Sequence, residues 1–327
     1  MAKRRGHEPT PIAPKLARLS ILEHSPAEQR AFAVELVANE TDFRLIQAGL
    51  DVLVPTSDPE IARLLIERYA DFDDPKRDQG GTVRAAITRA LRHVRAEGLV
   101  AVYERAIATY ERTLQGVGGD LRAAGLIGLR QEAPGSAKFH AVRFLNDPEL
   151  ARDDWWEAGG EPGVTSVRVL AELGEDLVLF YVGLDHWQPD TRGEAVRLLE
   201  NLPPDLAPAL VEAILPRRGE PAPLTVVLGL MDLSIAHPGA EALRNFLRQQ
   251  LGTELDDDVY SYLVSAIVAS HRADHQALLL ERAPQERKEA RRTMLRDALS
   301  LVRREPGVDD ALQALQTKPS ATRRVGE

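Results

Sequence analysis

Residues 120–129 read Asp-Leu-Arg-Ala-Ala-Gly-Leu-Ile-Gly-Leu (DLRAAGLIGL). An acidic residue opens the stretch, where a carboxylate suits the positive end of a helix. Arg122 follows after one leucine, then small residues, with Leu126, Ile127 and Leu129 completing an apolar face. Small residues let a second helix approach closely, so the pattern encodes helix-on-helix packing. The order recurs at Thr82–Ala86 (TVRAA) and, more loosely, at Pro189–Ala195 (PDTRGEA). Arg84 and Arg122 stand 38 residues apart, close to the ~40-residue period of stacked helical hairpins.

Working outward, helical stretches recur with short breaks. The periodicity predicts paired helices at 14–24 and 26–38, 42–54 and 59–70, 82–96 and 99–114, and 120–131 and 136–145. Val164–Leu173 pairs with Asp176–Leu184, and Asp190–Asn201 with Asp205–Leu215. Leu224–Ala236 and Gly239–Gln250, Asp256–His271 and Asp274–Arg282, and Pro284–Arg304 and Asp309–Gln316 complete the series. Ser25 and Glu28 around Pro26 spell a capping box, and Asp58 can cap before Pro59. A short helix is expected at Pro148–Glu157. The apolar runs Leu224–Leu230 and Asp176–Val182 are expected as buried helices, because no hairpin or strand alternation surrounds them. Residues 1–13 and 317–327 are expected to be disordered tails. The fold class is therefore all-α, an α-α superhelix over 14–316, with the polar stretch Asp71–Gly81 (DFDDPKRDQGG) as a place where the array could divide.

These motifs resemble the HEAT and HEAT-like α-solenoids, especially bacterial forms whose repeats run roughly D-x-x-V-R-x-x-A-x-x-A-L-G. Asp120–Leu129 is the nearest stretch, and Val164–Gly174 (VTSVRVLAELG) is a second, with Arg168 shifted. Repeats at 222–251 and 256–282 lack the arginine. The resemblance implies a long surface that receives peptides or folded partners. It also admits enzymes, since alkylpurine DNA glycosylases and bilin lyases use HEAT-like folds. The motifs encode packing and carry no chemistry by themselves.

Composition narrows the chemistry. The chain of 327 residues has 50 carboxylates against 41 Lys and Arg, a formal net charge of −9, and no cysteine. The acidic balance argues against nucleic acid, which calls for a basic excess. The missing thiols remove disulfides, thiolate metal sites and a Cys nucleophile, and suit a reducing compartment. No apolar run approaches a membrane span, and Lys3, Arg4 and Arg5 are not followed by the apolar region of a secretory signal, so a cytoplasmic setting is expected. No phosphate-binding loop is present, and Gly116, Gly118 and Gly119 are expected to end a helix. His271 and His275 stand four apart but lack a third ligand and a zincin-type acid, so no metal and no cofactor is expected. Arg292, Arg296 and Arg303 are expected on a solvated outer face.

The stretch Arg152-Asp153-Asp154-Trp155-Trp156 interrupts the hairpin rhythm and holds two of the three tryptophans. The third, Trp187, follows His186 at the next break between hairpins. Tryptophan and arginine are enriched in binding hot spots. Arg152, Asp153, Asp154, Trp155, Trp156, His186 and Trp187 are therefore the candidate surface for a protein partner. The function expected is a non-catalytic scaffold or adaptor, with an enzyme on the same architecture as the alternative.

Overall fold

The computed structural model describes residues 12–54, 58–111, 118–146, 160–215, 222–302 and 306–316. Among these residues the regular elements are all helices. In chain order they are α1 (Ile12–Ile21), α2 (Pro26–Asn39), α3 (Phe43–Leu53), α4 (Pro59–Asp71), α5 (Thr82–Leu91), α6 (Leu99–Ile107), α7 (Gly119–Glu132), α8 (Pro134–Leu145) and α9 (Gly163–Glu172). There follow α10 (Asp176–Asp185), α11 (Pro189–Arg197), α12 (Ala207–Ile214), α13 (Leu224–Ala236), α14 (Glu241–Gly252), α15 (Asp257–Ala269), α16 (Ala273–Arg282), α17 (Glu289–Leu301) and α18 (Val308–Gln316). Short 3-10 turns occupy Leu22–His24 and Ala283–Gln285. The chain divides into two compact units, 1–174 and 175–327.

Both units are built the same way. In the first, α3, α5, α7 and α9 pack side by side as one layer, while α2, α4 and α6 form a second layer against them. In the second unit α11, α13, α15 and α17 make one layer and α10, α12, α14 and α16 the other. Within each unit helices thus pack on sequence neighbours and on helices two places along the chain, which is the packing of an α-α solenoid. Asp71–Gly81 lies inside the first unit. There Asp78 accepts hydrogen bonds from the backbone N–H groups of Val83 and Arg84, both at 2.9 Å, and so caps α5.

The small residues do what their size allows. A Cβ added to Gly229 of α13 would lie 2.2 Å from the Gly193 carbonyl oxygen of α11, and one added to Gly193 would lie 2.5 Å from that of Thr225. These two helices touch through bare backbone. At Gly128 of α7 the missing Cβ makes room for the Tyr103 ring of α6.

Of the repeated arginines Arg84 and Arg122 are buried and Arg192 is half-buried. Arg84 donates to the carboxylates of Asp78 at 3.1 Å and Glu111 at 2.7 Å. Arg122 stacks 4.3 Å from the centre of the Tyr110 ring. Arg192 donates to the carbonyls of Gly183, Leu184 and Ala213, at the ends of α10 and α12. Arg68 does the same to Val37 and Glu40 at the end of α2, and Arg292 to Ala314 and Leu315 at the end of α18. The last carbonyls of a helix have no partner of their own and carry its negative pole. A guanidinium with five donors satisfies several of them at once.

Several expectations need correction. Arg292 is buried, not on a solvated face. Ser25 makes no side-chain cap hydrogen bond, so the capping box does not form. α5 stops at Leu91, because tight turns at His93 and Val94 redirect the chain toward α6. The stretch 284–304 is split, since Glu286 caps the N–H groups of Arg287 and Lys288 ahead of α17. α1 begins at Ile12, two residues inside the expected tail. Gly118, with φ at +66°, precedes α7 instead of ending the helix before it.

Candidate functional site

The segment 175–188 shows why α10 is unlike its neighbours. Ten residues of helix carry no Lys, Arg, Ser, Thr, Asn or Gln, so both faces are apolar and only one can be covered. Leu179, Val182 and Gly183 turn inward. Leu177 is 67% exposed and Tyr181 65%. They stand four residues apart and therefore share a face, with half-buried Leu184 continuing the line. α10 was expected to be buried throughout; only its inner face is.

The helix ends at His186, whose backbone N–H bonds to the Val182 carbonyl. The connection to α11 is short and held from beneath. Arg192 grips the last carbonyls of α10, and the Thr191 hydroxyl donates to the Gln188 side chain at 2.6 Å. Pro189 begins α11 with its backbone angle already helical. This anchoring presents Trp187, 56% exposed, with its ring stacked on His186 at 5.6 Å between centroids. His186 Nδ1 accepts from the Gln188 N–H at 3.2 Å, which fixes the plane on which the indole rests.

The surroundings are acidic. Between residues 175 and 215 there are eight carboxylates and two arginines. Arg192 is spent on helix-end carbonyls, and burial lowers its pKa. Arg197 pairs with Glu194 at 2.6 Å. Glu175, Asp176, Asp185 and Asp190 border the apolar line, and residues 175–190 contain no Lys or Arg. The arrangement is an aromatic and aliphatic strip in a negative field.

Of the seven residues singled out from the sequence, the structure brings His186 and Trp187 together. Arg152, Asp153, Asp154, Trp155 and Trp156 lie outside the described residues, as does the helix expected at Pro148–Glu157. Leu177 and Tyr181 were missed, although their i, i+4 spacing within an unbroken apolar helix was visible. His271 and His275 do not converge. His271 adopts a left-handed backbone, with φ at 53°, in the turn before α16, while His275 is buried on that helix. Burial and the nearby Arg272 lower the His275 pKa. Among the described residues no three His, Asp or Glu side chains are grouped to hold a metal, and no helix is long and apolar enough to cross a membrane.

No protein-family model matches the chain, and no curated protein or solved structure matches it either.

Proposed function

We propose that the protein is a non-catalytic scaffold of the HEAT-like kind, working in the cytoplasm, which receives a protein segment on the Leu177–Tyr181–Trp187 strip. The single observation behind this reading is that strip: three large apolar side chains, each more than half exposed, on a helix and turn anchored from below. An aromatic surface held rigid loses little entropy on binding. The carboxylates around it select the partner's chemistry, favouring a segment with an apolar face flanked by Lys or Arg. The family reading draws support from the two-layer packing and the buried arginines. The absence of cysteine supports a reducing compartment. An enzyme acting on DNA would want its exposed tryptophan in a positive cleft, and the acidic surroundings of Trp187 favour a protein partner instead.

The test uses a designed probe, an amphipathic helical peptide with a leucine face and lysine flanks, beside the same peptide with glutamate flanks. Fluorescence anisotropy should show saturable binding of the basic peptide only. Tyr181→Ala or Trp187→Ala should weaken it about 30-fold, the equivalent of a hot-spot loss of ~2 kcal/mol. Equal binding of both peptides, or variants that bind like the parent, would sink the proposal.

A further inference from the structure

Exposed large apolar side chains sit singly on most helices that carry them, as Val100 does on α6 and Leu301 on α17. Such scatter is ordinary for a folded surface. Among the described residues two helices carry a pair. α10 bears Leu177 and Tyr181, already described. α8 bears Phe139, 67% exposed, and Val142, 38% exposed.

The sequence of α8 explains its outer face. The helix packs on α7 and α9, with Ala137, Ala141, Phe144 and Leu145 buried. At 100° per residue Phe139 and Val142 fall on the opposite side. Lys138 and Arg143 flank them there, one on each side, and both are exposed. Arg143 donates to the Tyr110 hydroxyl at 3.1 Å. From Ala133 to Asn146 the chain has two cations and no carboxylate, whereas residues 175–190 have four carboxylates and no Lys or Arg. The two paired faces are alike in apolar character and opposite in charge.

We infer, building on the docking proposal above, that the segment received by the Leu177–Tyr181–Trp187 strip is α8 of a second copy of this chain. The α8 face has the chemistry that the strip selects: an apolar pair between a lysine and an arginine. Glu175 and Asp176 stand at one end of the strip, Asp185 and Asp190 at the other. A helix laid along it in either direction therefore sets opposite charges together. Strip against strip would oppose carboxylates, and α8 against α8 would oppose cations, so charge favours the mixed contact over both self-pairings. Because the two surfaces differ, the contact is heterologous, and its copies close into a ring or extend head to tail. Patches of a few side chains each make a small interface, which places the association in the weak, reversible class.

The experiment follows the full chain by sedimentation velocity over a concentration series, at low and high salt. The parent is expected to associate reversibly, and less so in high salt, which screens the flanking charges. Phe139→Ser, Tyr181→Ala and the pair Lys138→Glu with Arg143→Glu should each weaken association tenfold or more. Leu301→Ser, an exposed apolar control on α17, should match the parent. Melting curves confirm that each variant folds, and the charge pair carries the comparison if Phe139→Ser does not. Mixing is the decisive arm. Phe139→Ser keeps the strip and Tyr181→Ala keeps the α8 face, so each stays monomeric alone while the two together form a one-to-one complex. A contact of α8 on α8 would leave Tyr181→Ala self-associating, and strip on strip would leave Phe139→Ser doing so; either result overturns the inference. So does a mixture that stays monomeric. A monomeric parent whose strip still binds the lysine-flanked peptide also overturns it, and leaves the docking proposal standing. Failure of both peptide binding and self-association ends both.

Discussion

Replacing Gly229 by alanine tests the packing argument at its tightest point. An ordinary contact at a Cβ is 3.4 Å or more, and this one would meet the Gly193 carbonyl oxygen at 2.2 Å. The overlap is about 1.2 Å, and the obstacle is backbone within a helix, which cannot rotate away as a side chain could. α11 and α13 would have to separate by ~1 Å along a contact now made through bare backbone, loosening the layer on both sides. Overpacking costs ~1–3 kcal/mol, and a clash with fixed backbone belongs at the upper end. Against this, alanine is favoured over glycine inside a helix by ~1 kcal/mol. The net expectation is destabilisation by about 2 kcal/mol. Gly135→Ala is the matched control, because nothing lies within 4 Å of its added Cβ. It should be neutral or stabilise by up to ~1 kcal/mol. Urea denaturation followed by circular dichroism measures both, with each transition fitted separately should the units unfold apart. Gly193→Ala combined with Gly229→Ala should cost less than the sum of the single changes, because one separation relieves both overlaps. A Gly229→Ala protein as stable as Gly135→Ala would refute the reasoning.

Other expectations follow from the buried polar groups. Asp78→Ala removes both the cap of α5 and one counter-charge of buried Arg84, and should cost ~3 kcal/mol, since Glu111 remains to pair with the arginine; thermal melts of Asp78→Ala and Asp78→Asn measure it. Arg192→Leu strips helix-end carbonyls of three hydrogen bonds and should destabilise the second unit by ~2 kcal/mol while loosening Trp187, seen as faster quenching of its fluorescence against a Trp187→Phe blank. Burial raises the pKa of Tyr69, Tyr103 and Tyr260 from 10.0 to about 12. The folded state then holds the phenol protons more tightly than the unfolded chain, so stability is intact below pH 10 and falls as pH rises from 10 toward 12. Each buried tyrosine contributes up to ~3 kcal/mol to that fall, and late titration of the absorbance at 295 nm, matched to alkaline unfolding, checks it. Trp187→Ala should leave the melting temperature within 2 °C or so of the parent, because an exposed ring contributes little to the core.

The helical character of Leu224–Ala236 was legible to the residue, and Asp42, Asp58 and Asp256 cap as acids before helical runs are expected to. Each accepts from the backbone N–H two residues on. Such features are local: a cap needs only the next turn, and periodicity reports which side of a helix meets a core. The failures were equally local in origin. Ser25 has the right type and spacing for a capping box but the wrong backbone angles for it. The start of α17 depended on Glu286 folding back over Arg287 and Lys288, which composition does not announce.

By itself the sequence determined the helical class, the hairpin rhythm, the close approach that Gly193 allows, and the 38-residue interval that puts Arg84 and Arg122 in matching places. What it could not decide is where an arginine or an apolar side chain ends up when both faces of a helix carry the same character. Arg292 is buried because the carbonyls at the end of α18 arrive from more than twenty residues away. Leu177 and Tyr181 are exposed because α10 is apolar all round, and a two-layer stack within the unit covers one side. Periodicity fixes a residue's angle on its own helix; the occupant of the space it faces comes from elsewhere in the chain, and only tertiary packing selects it.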